Sequence, residues 1–152
     1  MRDIDLGVIQ ISDWEPTDKL YPAYYEDDPD SWFKEELETY SKLKPDQVIL
    51  KPNKEFILEI SYPLSVPCKV KIKTGKKGVS RKKLVHKIVT TYRKIYDIED
   101  DTSKNKAGYI SGMLNRNSTN GKFGIWGHCI QDLILCSAHI SRNNVITVGV
   151  DS

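Results

Sequence analysis

The sequence predicts an α+β protein: a mainly antiparallel sheet with one main amphipathic helix packed on it, and an irregular acidic aromatic segment near the N-terminus. Three observations carry this. Several short stretches alternate apolar and polar residues with the period of a half-buried strand. One stretch, about 81–98, repeats with the period of a helix. Between the first strand and the next regular element, residues 13–30 are polar, aromatic and broken by proline, with no period. The 152 residues, 39% of them apolar, suffice for the core of a single α+β domain spanning 1–152.

Ile4–Ile11 opens the chain as a strand. Asp30 or Ser31 caps a short helix over 31–42, where Glu35 and Glu36 suit the positive end of the helix dipole. Gln47–Leu50 and Glu55–Ser61 read as strands, the second with Phe56, Leu58 and Ile60 on one face. Pro63 and Pro67 bound a connection. Cys68–Thr74 alternates without a break, so Cys68, Val70 and Ile72 face one way and Lys69, Lys71 and Lys73 the other. Gly75-Lys76-Lys77-Gly78 turns the chain, and Ser80 is the N-cap of the main helix. On that helix Leu84, Val85, Ile88, Val89, Tyr92, Ile95 and Tyr96 share one arc and should lie on the core. Residues 99–122 are expected to form a long loop with an apolar island at Tyr109–Leu114, and Asp132–Ile140 and Val145–Val150 a hairpin.

Charge is strongly segregated. Residues 1–60 carry −8, residues 61–96 carry +11 with no acid, and residues 97–152 carry −1. The basic block coincides with the strand–turn–helix unit at 69–98. It places Lys69, Lys71 and Lys73 along a strand, Lys76 and Lys77 in the turn, and Arg81, Lys82, Lys83, Lys87 and Lys94 on the helix. Cations in a first helical turn oppose the dipole by about 0.3–1 kcal/mol each, and a local rule broken three times running points to a functional site. Free helix-terminal N–H groups, the Ser80 hydroxyl and nearby cations would suit phosphate. The G-x-x-x-x-G-K-[ST] spacing of a nucleotide-hydrolysing loop is absent, so a dispersed polyanion such as nucleic acid, held by its backbone, is the expected partner. The alternative is a structural or virion protein whose acidic and basic surfaces dock protein partners or further copies of itself.

Residues 13–38 carry ten acids against two lysines, interleaved with aromatics. Trp14, Tyr24, Tyr25 and Trp32 are the candidate anchors for a protein partner, with pinning of an irregular arm (13–42) onto the sheet as the competing role. His128, Cys129, Cys136 and His139 are possible soft metal ligands, but their spacing matches no usual zinc site, and a strand over 132–140 would turn Cys136 and His139 to opposite faces. Neither a cofactor nor a catalytic set is expected. His128 and Asp132, four apart, are placed for a hydrogen bond. Trp126 between two glycines suggests a tight turn plugged by a large ring.

The helix Ser80–Tyr96, the run Gly124-Ile125-Trp126-Gly127-His128, then Asp132-Leu133 and the closing Val148–Ser152 resemble uncharacterised small proteins of large DNA viruses of amoebae and of protists. The resemblance covers roughly residues 78–152 and implies a cytosolic or virion setting; it brings no activity and no catalytic residues. Sparse cysteines fit the same reducing cytoplasmic setting. No stretch approaches the roughly 18 apolar residues of a membrane helix, and the N-terminus lacks the apolar run of a signal peptide.

Overall fold

The computed structural model describes residues 1–21, 34–105, 108–109 and 116–152. Its frame is a five-stranded sheet built from β1 (Arg2–Gln10), β3 (Glu55–Ile60), β4 (Cys68–Lys73), β8 (Ile134–Ile140) and β9 (Val145–Asp151), in the order β1-β8-β9-β3-β4. Every pairing is antiparallel except β3 with β9, which run parallel through Ile57↔Val145, Leu58↔Ile146 and Glu59↔Thr147. Two-residue and three-residue strands add small ladders: β2 (Val48–Leu50) with β5 (Val79–Ser80), and β6 (Gly108–Tyr109) with β7 (Arg116–Asn117). Among the described residues the helices are α1 (Lys34–Ser41) and α2 (Arg81–Thr102), with a 3-10 turn at Ile130–Asp132. The α+β class is therefore as the sequence reads it.

One face of the sheet and α2 share the core. Ile4, Leu6, Phe56, Leu58, Ile60, Leu135 and Ile146 point inward from the strands, and all seven predicted core residues of α2 are buried against them. Each such side chain contributes about 1.5–3 kcal/mol of gross burial free energy. Tyr92 and Tyr96 are wholly or nearly buried and direct their hydroxyls to the carbonyls of Tyr62 (2.7 Å) and His128 (2.8 Å), so their polar ends are satisfied. Burial pushes both phenols above their ordinary pKa.

Two differences from the sequence reading bear on the site. The helix runs a full turn past 98, to Thr102, because Glu99, assigned to a loop, is buried and continues the packed face. The strand expected from Asp132 begins at Ile134, since Ile130–Asp132 coils as a 3-10 turn with Asp132 Oδ2 accepting the Cys129 N–H at 3.2 Å. The predicted start of the short helix, and most of the apolar island 109–114, lie outside the described residues.

The first strand contains a bulge, where pairing to β8 shifts between Asp5 and Ile9. Gly7 sits in it at φ 103°, and a Cβ there would lie 1.5 Å from the Leu20 carbonyl oxygen. That carbonyl accepts the Val8 N–H at 3.3 Å, so residues 14–20 close over the outer edge of β1.

Candidate polyanion-binding surface

Strand β4 is an edge of the sheet, and its pleat divides it as the alternation predicts. Ile72 is buried, Cys68 and Val70 half-buried, and Lys69, Lys71 and Lys73 exposed on the opposite face. The lysines face acids across the ladder: Glu59 lies opposite Lys69 and Glu55 opposite Lys73, while Lys71 Nζ sits 3.4 Å from Glu55 Oε1. Lysines on a strand edge also guard it against pairing with another chain.

At the turn and helix start, Lys76, Lys77 and Lys83 are exposed, Lys82 is half-exposed, and the expected phosphate cradle is already filled by the protein. The β2–β5 ladder brings residues 45–48 against Ser80. The Arg81 N–H donates to the Gln47 carbonyl (2.9 Å), the Lys82 N–H to the Pro45 carbonyl (3.0 Å), and the Lys83 N–H to Ser80 Oγ (3.2 Å). These are the free amides that a phosphate would have used. The Arg81 guanidinium donates to the carbonyls of Asp5 (2.9 Å) and Lys44 (3.0 Å) and to Gln47 Oε1 (3.2 Å). Arg81 thus leaves the predicted phosphate-binding set: it ties α2 to β1 and to the 44–47 loop, which also accounts for a cation in the first turn.

Further along α2 the charged residues are divided between the two flanks. On the β1 side Arg93 is spent on the protein, its guanidinium donating to the carbonyls of Ile11 and Ser12 (both 3.3 Å) and of Trp14, with Glu15 3.9 Å away. Asp97 and Asp100 line the same flank with Arg93 and Tyr96. His86 is exposed, its ring 6.0 Å from that of Trp14. On the β4 side Lys87 and Lys94 border a groove of about 280 Å³ with the inward face of Cys68 and Val70, and Lys122 joins them from the loop that follows. Among the described residues no acid lines this groove. Burial pushes the Cys68 thiol up against the opposing influence of Lys122 and Lys94. The basic residues therefore gather around the β4 edge, on the outer sheet face above it and on α2 below it, while the turn and the helix N-terminus are partly closed.

The candidate protein-docking aromatics divide differently. Trp14 is 4% exposed and belongs to the core, so it pins the segment after β1 and is not a docking anchor. Tyr24, Tyr25 and Trp32 lie outside the described residues.

The possible metal ligands have separate partners. His139 Nδ1 lies 2.6 Å from Asp3 Oδ1 across the β1–β8 ladder, the Cys136 thiol is 3.7 Å from the carbonyl of Ile134, and Cys129 caps the 3-10 turn. Among the described residues no three His, Cys, Asp or Glu side chains are grouped to hold a metal ion. His128 Nδ1 is buried 3.6 Å from Asp132 Oδ2, an ion-pair distance that is too long for the expected hydrogen bond. Its Nε2 is 3.3 Å from Ser152 Oγ, which in turn lies 2.6 Å from the Tyr62 hydroxyl. The order Ser152–His128–Asp132 has the chemistry of a nucleophile, a base and an orienting acid, but both spacings exceed the roughly 2.6–3.2 Å such sets need. The contacts brace the 124–132 loop to the 61–63 turn and the end of β9. Trp126, expected to plug the turn, is 43% exposed and stands edge-on to Tyr62 at 5.1 Å; Phe123 and Ile125 fill the core in its place.

Sequence reasoning missed Glu99. Its Oε2 accepts from Thr119 Oγ1 and from the N–H groups of Gly121 (2.9 Å) and Gly124 (3.1 Å), and its Oε1 from the N–H of Phe123 (2.8 Å). Burial alone would raise its pKa; the Thr119 hydroxyl and the three amides outweigh that and hold it below the ordinary value. The one signal was its spacing: Glu99 continues the apolar arc four residues after Ile95 and three after Tyr96. The clamp fixes the loop that carries Lys122.

No family model, no curated protein and no solved structure matches this chain. Among the described residues no helix is long and apolar enough to cross a membrane.

Proposed function

We propose that this chain is a non-enzymatic polyanion-binding protein, with nucleic acid as the polyanion, and that it works in the cytoplasm or in a virion. The contacts are made by side chains along the margin where β4 meets α2. The observation that carries this is the gathering of Lys87, Lys94 and Lys122 around a groove on the β4 flank that no acid lines among the described residues. Lys83 extends the helix row, and Lys69 and Lys73 supply cations from the exposed face of β4. Lys76 and Lys77 lie at one end of this margin. Lys71, paired with Glu55, contributes less. Because no base-reading element accompanies these lysines among the described residues, binding is directed at phosphates and tolerant of sequence.

The test is binding of fluorescent DNA and RNA duplexes across a salt series, with particle size followed in parallel. Four to five phosphate contacts give a log–log salt slope of about −4. Lys87→Glu with Lys94→Glu is expected to weaken binding by about tenfold or more and to flatten that slope, while reversal of Lys104, in the connection after α2, does far less. Absence of binding at low salt, or indifference to the Lys87/Lys94 reversal, overturns the reading.

Asp97 and Asp100 on the β1 flank also favour a second reading, in which the lysines around the β4 groove of one copy dock on the Asp97 and Asp100 side of the next. Such head-to-tail contact generates rings or filaments. It predicts salt-sensitive oligomers in the absence of nucleic acid, which the same size measurement detects.

A further inference from the structure

The groove between β4 and α2 has a feature that phosphate-backbone binding does not use. Its floor is apolar, made by Val70, Ile95, Ile98 and Phe123, while its rim carries Lys87, Lys94 and Lys122. Lys122 Nζ sits 5.5 Å from the centre of the Phe123 ring, above that floor. Lys87 and Lys94 have no carboxylate within ion-pair distance among the described residues, although both stand beside apolar surface. Val70 and Cys68 are left half-buried because β4 ends the sheet and α2 covers only part of its inward face. A cationic rim over an apolar floor is complementary to a molecule with one anionic end and an apolar body.

We propose that this groove binds a small amphipathic anion: an alkyl or aryl chain ending in a carboxylate or similar anionic head. The volume of about 280 Å³, in a groove open to solvent along one side, admits a medium-length chain of about eight carbons. The apolar body lies on Val70, Ile98 and Phe123, and the head meets Lys94 and Lys122. The Cys68 thiol, kept protonated by burial, forms part of the wall and takes no covalent part.

Octanoate is the probe, octanol its uncharged control, and the readout is the amide shift map of the full chain by two-dimensional NMR. Octanoate is expected to give saturable shifts centred on Val70, Ile95, Ile98 and Phe123, at least about tenfold tighter than octanol. It should also slow alkylation of Cys68, followed by peptide mass spectrometry, without slowing that of Cys136. Val70→Trp fills the groove without changing charge: octanoate binding is expected to vanish while nucleic-acid affinity stays within about twofold, so failure of this proposal is separable from failure of the polyanion reading. Lys94→Met, which keeps the chain length, is expected to bring octanoate down to the level of octanol. The proposal is overturned if wild-type shifts do not saturate by about 10 mM, if octanol equals octanoate, or if folded Val70→Trp binds unchanged; should that variant not fold, Lys94→Met and the wild-type shift map decide.

Discussion

Removing the Glu99 carboxylate should be among the most damaging single changes in this protein. Four donors converge on it: one hydroxyl, from Thr119, and three backbone amides, from Gly121, Phe123 and Gly124. Hydrogen bonds to a charged group contribute about 1.5–3 kcal/mol each, but they are not additive, and water entering a cut-back site recovers part of the loss. Glu99→Ala is therefore expected to cost about 3–5 kcal/mol, because it leaves four donors without their acceptor, at about 1–3 kcal/mol each before water recovers part. Against the 5–15 kcal/mol stability typical of a domain, that is about a fifth at the least. Glu99→Gln keeps one acceptor oxygen but turns an amide donor toward N–H donors, for about 2–3 kcal/mol. Urea unfolding followed by tryptophan fluorescence measures both. The pH dependence gives an independent check. The folded-state pKa of Glu99 is depressed, so its contribution is fully present above the ordinary value near 4.5 and is lost as pH falls through the depressed one. Stability of the wild type should thus fall below about pH 4.5 more steeply than that of Glu99→Gln. A cost under about 1 kcal/mol for Glu99→Ala, with an unchanged denaturant slope, refutes the clamp, as does an acid limb identical in the two proteins.

Other perturbations test the frame around the site. Gly7→Ala sets a methyl against the Leu20 carbonyl and imposes φ 103° on a residue with a side chain, so it should cost more than about 3 kcal/mol in chemical denaturation or prevent accumulation of folded protein. Arg81→Ala removes three hydrogen bonds and should lower stability by about 2 kcal/mol, yet leave the salt slope of nucleic-acid binding unchanged within error; a slope lowered by a whole contact would return Arg81 to the interface. Thr74→Val strands the Lys51 carbonyl and the Lys54 N–H that its hydroxyl joins at 2.6 and 2.8 Å, for about 1–2 kcal/mol by thermal melting, whereas exposed Trp126→Ala should cost less than Trp14→Ala by at least about 2 kcal/mol.

Much of the fold was legible because its signals are local. Alternation along 68–73 places three lysines on one face and Ile72 on the other whatever lies next to the strand, because the pleat has a period of two. The same holds for the buried arc of α2 and for its cap, Ser80, whose hydroxyl meets the N–H three residues on. Strand order was not legible: nothing local in β9 announces that it slots between β8 and β3, antiparallel to the first and parallel to the second. Nor was the end of α2, since a glutamate after position 98 reads as polar until the loop that returns to bind it is in place.

The candidate site shows the same division. Sequence alone determined that 61–96 carries the positive charge, that β4 presents Lys69, Lys71 and Lys73 together, and that Lys83, Lys87 and Lys94 share one side of the helix; side-chain direction in regular elements follows from backbone geometry. Only the tertiary structure decided which of those cations remain free. Arg81 and the first amides of α2 are consumed by residues 5 and 44–47, Arg93 by residues 11–14, and Trp14 by the core. These partners are distant in the chain and are brought near by packing of the whole apolar face. A donor or a cation is then claimed by whichever carbonyl that packing delivers to it, because a buried carbonyl without a partner costs more than a solvated lysine gains from a contact on the surface.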